Sequence, residues 1–204
     1  MLWLGVKSET FWSSVMRKLA RSGFLAAVVV SLAPCANSAA AGWHTYADSK
    51  LHYSVSYPDG WKVDPNFVSV SLGPDHEIKG VAFVIPESIG RGTNLSHNDT
   101  ELSVESIPGA NCKPRQFVDP ADDVHSLKAD GRTYSVATSG DAGAGNLYET
   151  MLFVVDGTSP CIAVRYFIHS TNIQNYDPGT VRAFNRERLI ERFDEIRRTL
   201  KLSR

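Results

Sequence analysis

Arg165 and His169 are the two side chains whose types and spacing most suggest chemistry. They lie in a run where Ile162, Val164, Tyr166 and Ile168 alternate with Cys161, Ala163, Arg165, Phe167 and His169, the period of a strand with two distinct faces. Four residues along a strand is roughly 13 Å, so the guanidinium and the imidazole share a face without touching. Each then needs a partner from a neighbouring strand, and Glu149 is the candidate. Together the three offer a ligand-binding patch for an anion, or a histidine tuned by a carboxylate. The plainer alternative is a solvated strand face carrying an ordinary cross-strand ion pair.

Other constellations have plainer structural readings. Ser170-Thr171-Asn172 with Asp177 supply a hydroxyl, a base and an orienter in principle, but no G-x-S-x-G elbow accompanies them, and polar residues after a strand are common turn formers. Gly140, Gly143 and Gly145 mimic a phosphate loop. Such a loop needs a Lys-Ser/Thr step and a following helix, whereas Asn146 leads into an apolar strand, so a flexible hairpin connection is expected. Asp119, Asp122, Asp123, His125 and Asp130 are the densest set of hard ligands. They lack the spacing and terminal Glu of a calcium loop, and a solvated acidic loop is expected, with no metal site and no cofactor. Asn94-Leu95-Ser96 and Asn98-Asp99-Thr100 are glycosylation sequons. Trp43, Tyr46, Tyr53, Tyr57 and Trp61 cluster early; they read as a ligand groove or, more simply, as core.

The compartment decides how the cysteines are read. Met16-Arg17-Lys18 and Arg21 precede the apolar run Phe24–Ala33, and small residues follow at 36–41. This is the layout of a secretory signal peptide. Residues 1–41 are therefore expected to be a leader, with Met16 a candidate start. The apolar run is shorter than the ~20 residues a membrane span requires, so no stable span is expected after cleavage. Cys35 follows Leu32-Ala33-Pro34, where a lipid-modified cysteine would want a small residue in place of Pro34.

Cleavage after Ala41 leaves residues 42–204, the size of one ordinary domain. They hold 17 basic and 21 acidic residues, a net charge near −4. That balance gives no basic excess for nucleic acid. Cys112 and Cys161 remain. Two thiols in an oxidising compartment are expected to form a disulfide, worth roughly 4 kcal/mol in the chain-entropy view. No C-x-x-C and no histidine at zinc-ligand spacing points to a metal or redox pair.

Strands are predicted at 51–57, 68–72, 81–85, 102–105, 132–138, 148–155 and 161–168, with 109–131 irregular. The later strands read as a meander. The period then changes: Leu189, Phe193, Ile196 and Leu200 recur at helical spacing behind a capping Asn185. The expected fold class is α+β, an antiparallel β-sheet meander packed by a C-terminal amphipathic helix.

A tyrosine-bearing strand, then Tyr57-Pro58-Asp59-Gly60-Trp61, with a closing amphipathic helix, resembles the PsbP-type α/β/α sandwich family over roughly a third of the chain. The stretch Arg165 to Asn172 is similar to part of a group of exported bacterial proteins of unknown function. The PsbP-type resemblance implies a binding or assembly module without catalysis. The expectation is a periplasmic or secreted cell-envelope protein that binds an envelope protein or small ligand. A small envelope hydrolase using His169 is the alternative.

Overall fold

A computed structural model of the chain describes residues 42–203; the expected leader, Cys35 and the cleavage point lie outside these residues. Two sheets and one long helix form the described part. A small sheet joins β1 (Trp43–Asp48), β2 (Tyr53–Pro58) and β11 (Lys201–Leu202), in the order β1-β2-β11. The large sheet contains β3 (Lys62–Asp64), β4 (Val68–Ser69), β5 (Ile78–Val84), β6 (Glu101–Ile107), β7 (Asp122–Ala129), β8 (Arg132–Gly143), β9 (Asn146–Val155) and β10 (Cys161–Thr171). Its order is β3-β5-β6-β10-β9-β8-β7, with β4 paired to β5, and every pairing is antiparallel. The chain leaves β6 for the far edge and returns through the meander β7–β10, so β10 closes against β6.

The expected meander is present, with differences at its ends. β7 occupies part of the segment predicted irregular, and Asp122, Asp123 and His125 lie on this exposed edge strand, not on a loop. Asp130-Gly131 turns it into β8 with positive φ at both residues, 54° and 73°, the two-residue geometry whose twist suits paired strands. β8 continues through the glycines at 140 and 143, where a flexible connection was expected. Only Ala144 and Gly145 turn, at φ 50° and 82°. The strand predicted at 68–72 shrinks to Val68–Ser69, with Val70 exposed.

Helix α2 (Arg186–Arg198) begins where Asn185 accepts from the Arg188 N–H at 2.9 Å, which satisfies one of the free amides of the first turn. Its apolar stripe, Leu189, Phe193 and Ile196, is buried, each side chain contributing about 1.5–3 kcal/mol. Phe193 packs on Tyr166 of β10 and on Trp61, with centroids 5.1 and 5.8 Å apart. Tyr53 and Val55 of β2 join the same core with Phe83, Val104, Phe153, Val164 and Ile168. Tyr53 and Trp61 are thus core, while Trp43 is exposed. Beneath the helix lies a buried cation. Arg197 donates to the Tyr166 hydroxyl at 2.9 Å and stands over the rings of Phe153 and Tyr134. Burial holds the Tyr166 phenol well above its ordinary pKa.

The opposite face of the large sheet has a second apolar cluster, Leu152, Val154, Ala163 and Cys161, covered by Phe117 and Val118. The covering segment runs from residue 108 to residue 121 and contains a 3-10 turn at Pro114–Gln116 but no strand. A short helix, α1 (Glu87–Gly90), completes the described elements apart from a second 3-10 turn at Ile173–Asn175. No helix among the described residues is long and apolar enough to cross a membrane.

Candidate functional site

Strand alternation does put Arg165 and His169 on one face of β10, but the two ends of that face differ. At the Arg165 end the 108–121 segment covers the sheet. Arg165 is 3% exposed and Glu105 0%. Arg165 Nε donates to Glu105 Oε1 at 2.7 Å and Nη2 to Oε2 at 2.9 Å, a two-pronged pair. Nη2 also donates to the Phe117 carbonyl at 2.7 Å. Ser103 Oγ donates to Glu105 Oε1 at 2.8 Å. Opposite Glu105 stands Gly80, where an added Cβ would lie 2.5 Å from the Val104 carbonyl and 3.2 Å from Glu105 Cγ. Glycine leaves room for the backbone of β6 and the stem of Glu105 at this close approach.

Two expectations are corrected here. Arg165 does not stand on a solvated face, because residues far away in sequence fold over it. Glu149 meets neither Arg165 nor His169: it is paired in register with Ile168, hence on the helix-facing side. There Arg186 Nε donates to Glu149 Oε2 at 2.6 Å. The three residues that the sequence suggested as one patch are distributed over three environments.

The segment's own attachments are few. Phe117 O accepts from Arg165 and from Ser71 Oγ, the latter at 2.6 Å, and the Cys112–Cys161 disulfide, with Cα atoms 5.4 Å apart, is the covalent tether. Pro114, Phe117 and Val118 are buried against the sheet, and the disulfide holds the segment's start beside them.

At the other end the face is open. His169 Nδ1 meets Asp99 Oδ2 at 2.6 Å and Nε2 meets Asn146 Oδ1 at 3.0 Å. Ser96 Oγ donates to the other Asp99 oxygen at 2.5 Å. In a nucleophile triad the imidazole stands between hydroxyl and carboxylate; here the carboxylate stands between. Ser170 is buried and points to the helix side, one residue out of phase with His169. Its neighbours Thr171 and Asn172 serve the loop: Asn172 caps the 3-10 turn by accepting from the Gln174 N–H.

Tyr148 pairs across from His169. Its ring lies 4.6 Å from the imidazole and 6.1 Å from Phe167, near-parallel to both. Tyr148 and Phe167 of this row line a groove of about 490 Å³ together with Ser139, and Val118, Asp119 and Pro120 wall its other side. Beside Phe167, on β6, is Glu101. Burial raises its carboxyl to about 7, with Glu105, Asp99 and Asp64 pushing the same way and Arg165 opposing. Among the described residues no three His, Cys, Asp or Glu side chains are grouped to hold a metal ion.

Sequence reasoning missed Asp99, Asn146 and Tyr148 as neighbours of His169. Asp99 is 70 residues away, and its only signal was a polar segment just ahead of β6. No protein-family model matches the chain, and no curated protein sequence matches it. Among solved structures, one similar chain is from Bacteroides thetaiotaomicron, with 13% identity over 78% of this chain and a TM-score of 0.45. This chain spans about half of it, 48%. Another is the solution structure of cyanobacterial PsbP (CyanoP) from Synechocystis, with 13% identity, 84% of this chain, 99% of that chain and a TM-score of 0.31.

Proposed function

We propose that the chain is an exported cell-envelope protein whose residues 42–204 form a single PsbP-like domain acting as a binding or assembly module. The open sheet face around Tyr148, Phe167 and His169 is its contact surface. The observation that carries this reading is the ring row itself. Tyr148 and Phe167 line an open groove on a face that is covered elsewhere, with His169 stacked on Tyr148, and partly exposed aromatic rings with polar neighbours are the composition of recognition surfaces. The hydrolase alternative needs a hydroxyl presented to His169, whereas its two ring nitrogens meet Asp99 and Asn146 and the Ser96 hydroxyl is engaged by Asp99. The Cys112–Cys161 disulfide supports export, because such bonds persist in oxidising compartments.

The test is capture from envelope extracts with the wild-type protein, a Tyr148→Ala variant and an exposed helix control, Glu191→Ala. A partner retained by wild type and control but lost with Tyr148→Ala is the expected result. Equal recovery by all three removes the surface. Ester or peptide hydrolysis by the wild type that disappears in His169→Ala would establish the alternative.

A further inference from the structure

We propose that the Cys112–Cys161 disulfide is a redox latch on the groove: its reduction releases the 108–121 segment and takes down the wall formed by Val118, Asp119 and Pro120. For its purpose the inference rests on the binding reading above; as a statement about the wall it does not.

The groove's near wall is β8–β10, held by continuous ladders to strands on either side. Its far wall belongs to a segment outside the sheet: β6 ends at Ile107, β7 begins at Asp122, and no strand lies between them. The segment runs on from β6 and into β7 at its ends, and between them buried Pro114, Phe117 and Val118 pack it on the sheet, with two specific fastenings besides. One is the Phe117 carbonyl, held by Arg165 and Ser71, with the Phe117 and Val118 side chains beneath. The other is Cys112, bonded to Cys161 at the start of β10. The Phe117 carbonyl is held from β10 by Arg165 and from beyond β4 by Ser71, whereas the Cys161 fastening is a covalent cross-link to β10. A dithiol reductant would transfer two electrons and two protons to the bond. The products are two thiols here and a cyclic disulfide on the reductant, and no other reactant is needed. The packing of Pro114, Phe117 and Val118 and the two hydrogen bonds to the Phe117 carbonyl must then offset the segment's backbone entropy without the cross-link. The ladders of β5, β6, β9 and β10 do not pass through either sulfur and persist.

Hydrogen exchange followed by mass spectrometry on the protein purified from the envelope, oxidised and after treatment with dithiothreitol, tests the latch. Amides of residues 110–121 should exchange at least tenfold faster after reduction, while those of 147–155 and 161–168 keep their protection. Unchanged protection in 110–121 overturns the proposal. So does a simultaneous loss in β9 and β10, which would make the bond a staple of the whole domain. A Cys112→Ser/Cys161→Ser variant should reproduce the reduced pattern without reductant; a variant exchanging everywhere counts against the latch. The outcome is independent of the Tyr148→Ala capture. A released segment with unaltered capture keeps the latch and discards the binding surface, and the reverse result does the opposite.

Discussion

Glu101 and Phe167 face each other across β6 and β10, so an ionisable carboxyl adjoins the ring row. Its folded pKa of about 7 lies above the ordinary 4.5. Between those values the folded chain keeps a proton that the unfolded chain has lost. The contribution of Glu101 to stability is therefore complete below 4.5 and disappears as pH rises through about 7. Glu101→Gln should flatten the stability profile across that window and exceed the parent above it by roughly 1–2 kcal/mol, after allowance for solvent screening. Urea midpoints at a series of pH values measure this, and parallel profiles for the two proteins would refute it.

The Arg165–Glu105 pair is shut away from water, which makes its two halves unequal to its whole. Glu105→Gln should cost about 3–5 kcal/mol, because an uncompensated guanidinium remains buried. Replacing both partners, Arg165→Met with Glu105→Leu, should recover most of the loss. Equilibrium denaturation of the two variants decides the matter. A double variant no more stable than the single one contradicts the account.

Tyr134 is fully buried beneath Arg197, and its hydroxyl has no hydrogen-bond partner among the described residues. Leaving such a group unmatched costs about 1–3 kcal/mol. Tyr134→Phe keeps the ring under the guanidinium and removes the orphan, so the melting temperature should rise or stay level. A fall of several degrees would reveal a partner for the oxygen.

Asn185→Ala removes the acceptor from the first turn of α2 and should destabilise by about 1 kcal/mol, with Asn185→Asp close to the parent. Thermal unfolding of the three proteins gives the comparison. A loss shared equally by alanine and aspartate would show that the amide's bulk, not its oxygen, is what matters.

Periodicity made much of this architecture readable from residue types. Ile162 to Ile168 alternates because one side of β10 is core along its whole length, and α2 announces itself by Leu189, Phe193 and Ile196 together with a capping Asn185. β7 gave no such signal. Its residues are mostly exposed on both faces, so no apolar period survives, although Asp130-Gly131 was a usable hairpin mark. The site was less readable, for a different reason. Alternation assigns a face to Arg165 and His169 but not what covers it. The cover is residues 108–121, the partner is Asp99, and both are fixed by the return of β10 to β6. Such non-local contacts leave no local spacing to detect.

Asn94 closes a clamp between distant parts of the chain. Its amide nitrogen donates to the Thr171 carbonyl at 2.6 Å, and its oxygen accepts from the Phe184 N–H at 3.0 Å. Both of the groups that a sugar linkage would disturb are committed, and the side chain is inside the fold, whereas Asn98 is outside. A glycan on Asn94 would therefore mark molecules modified before the strands closed, whereas the exposed Asn98 leaves room for one on the finished fold.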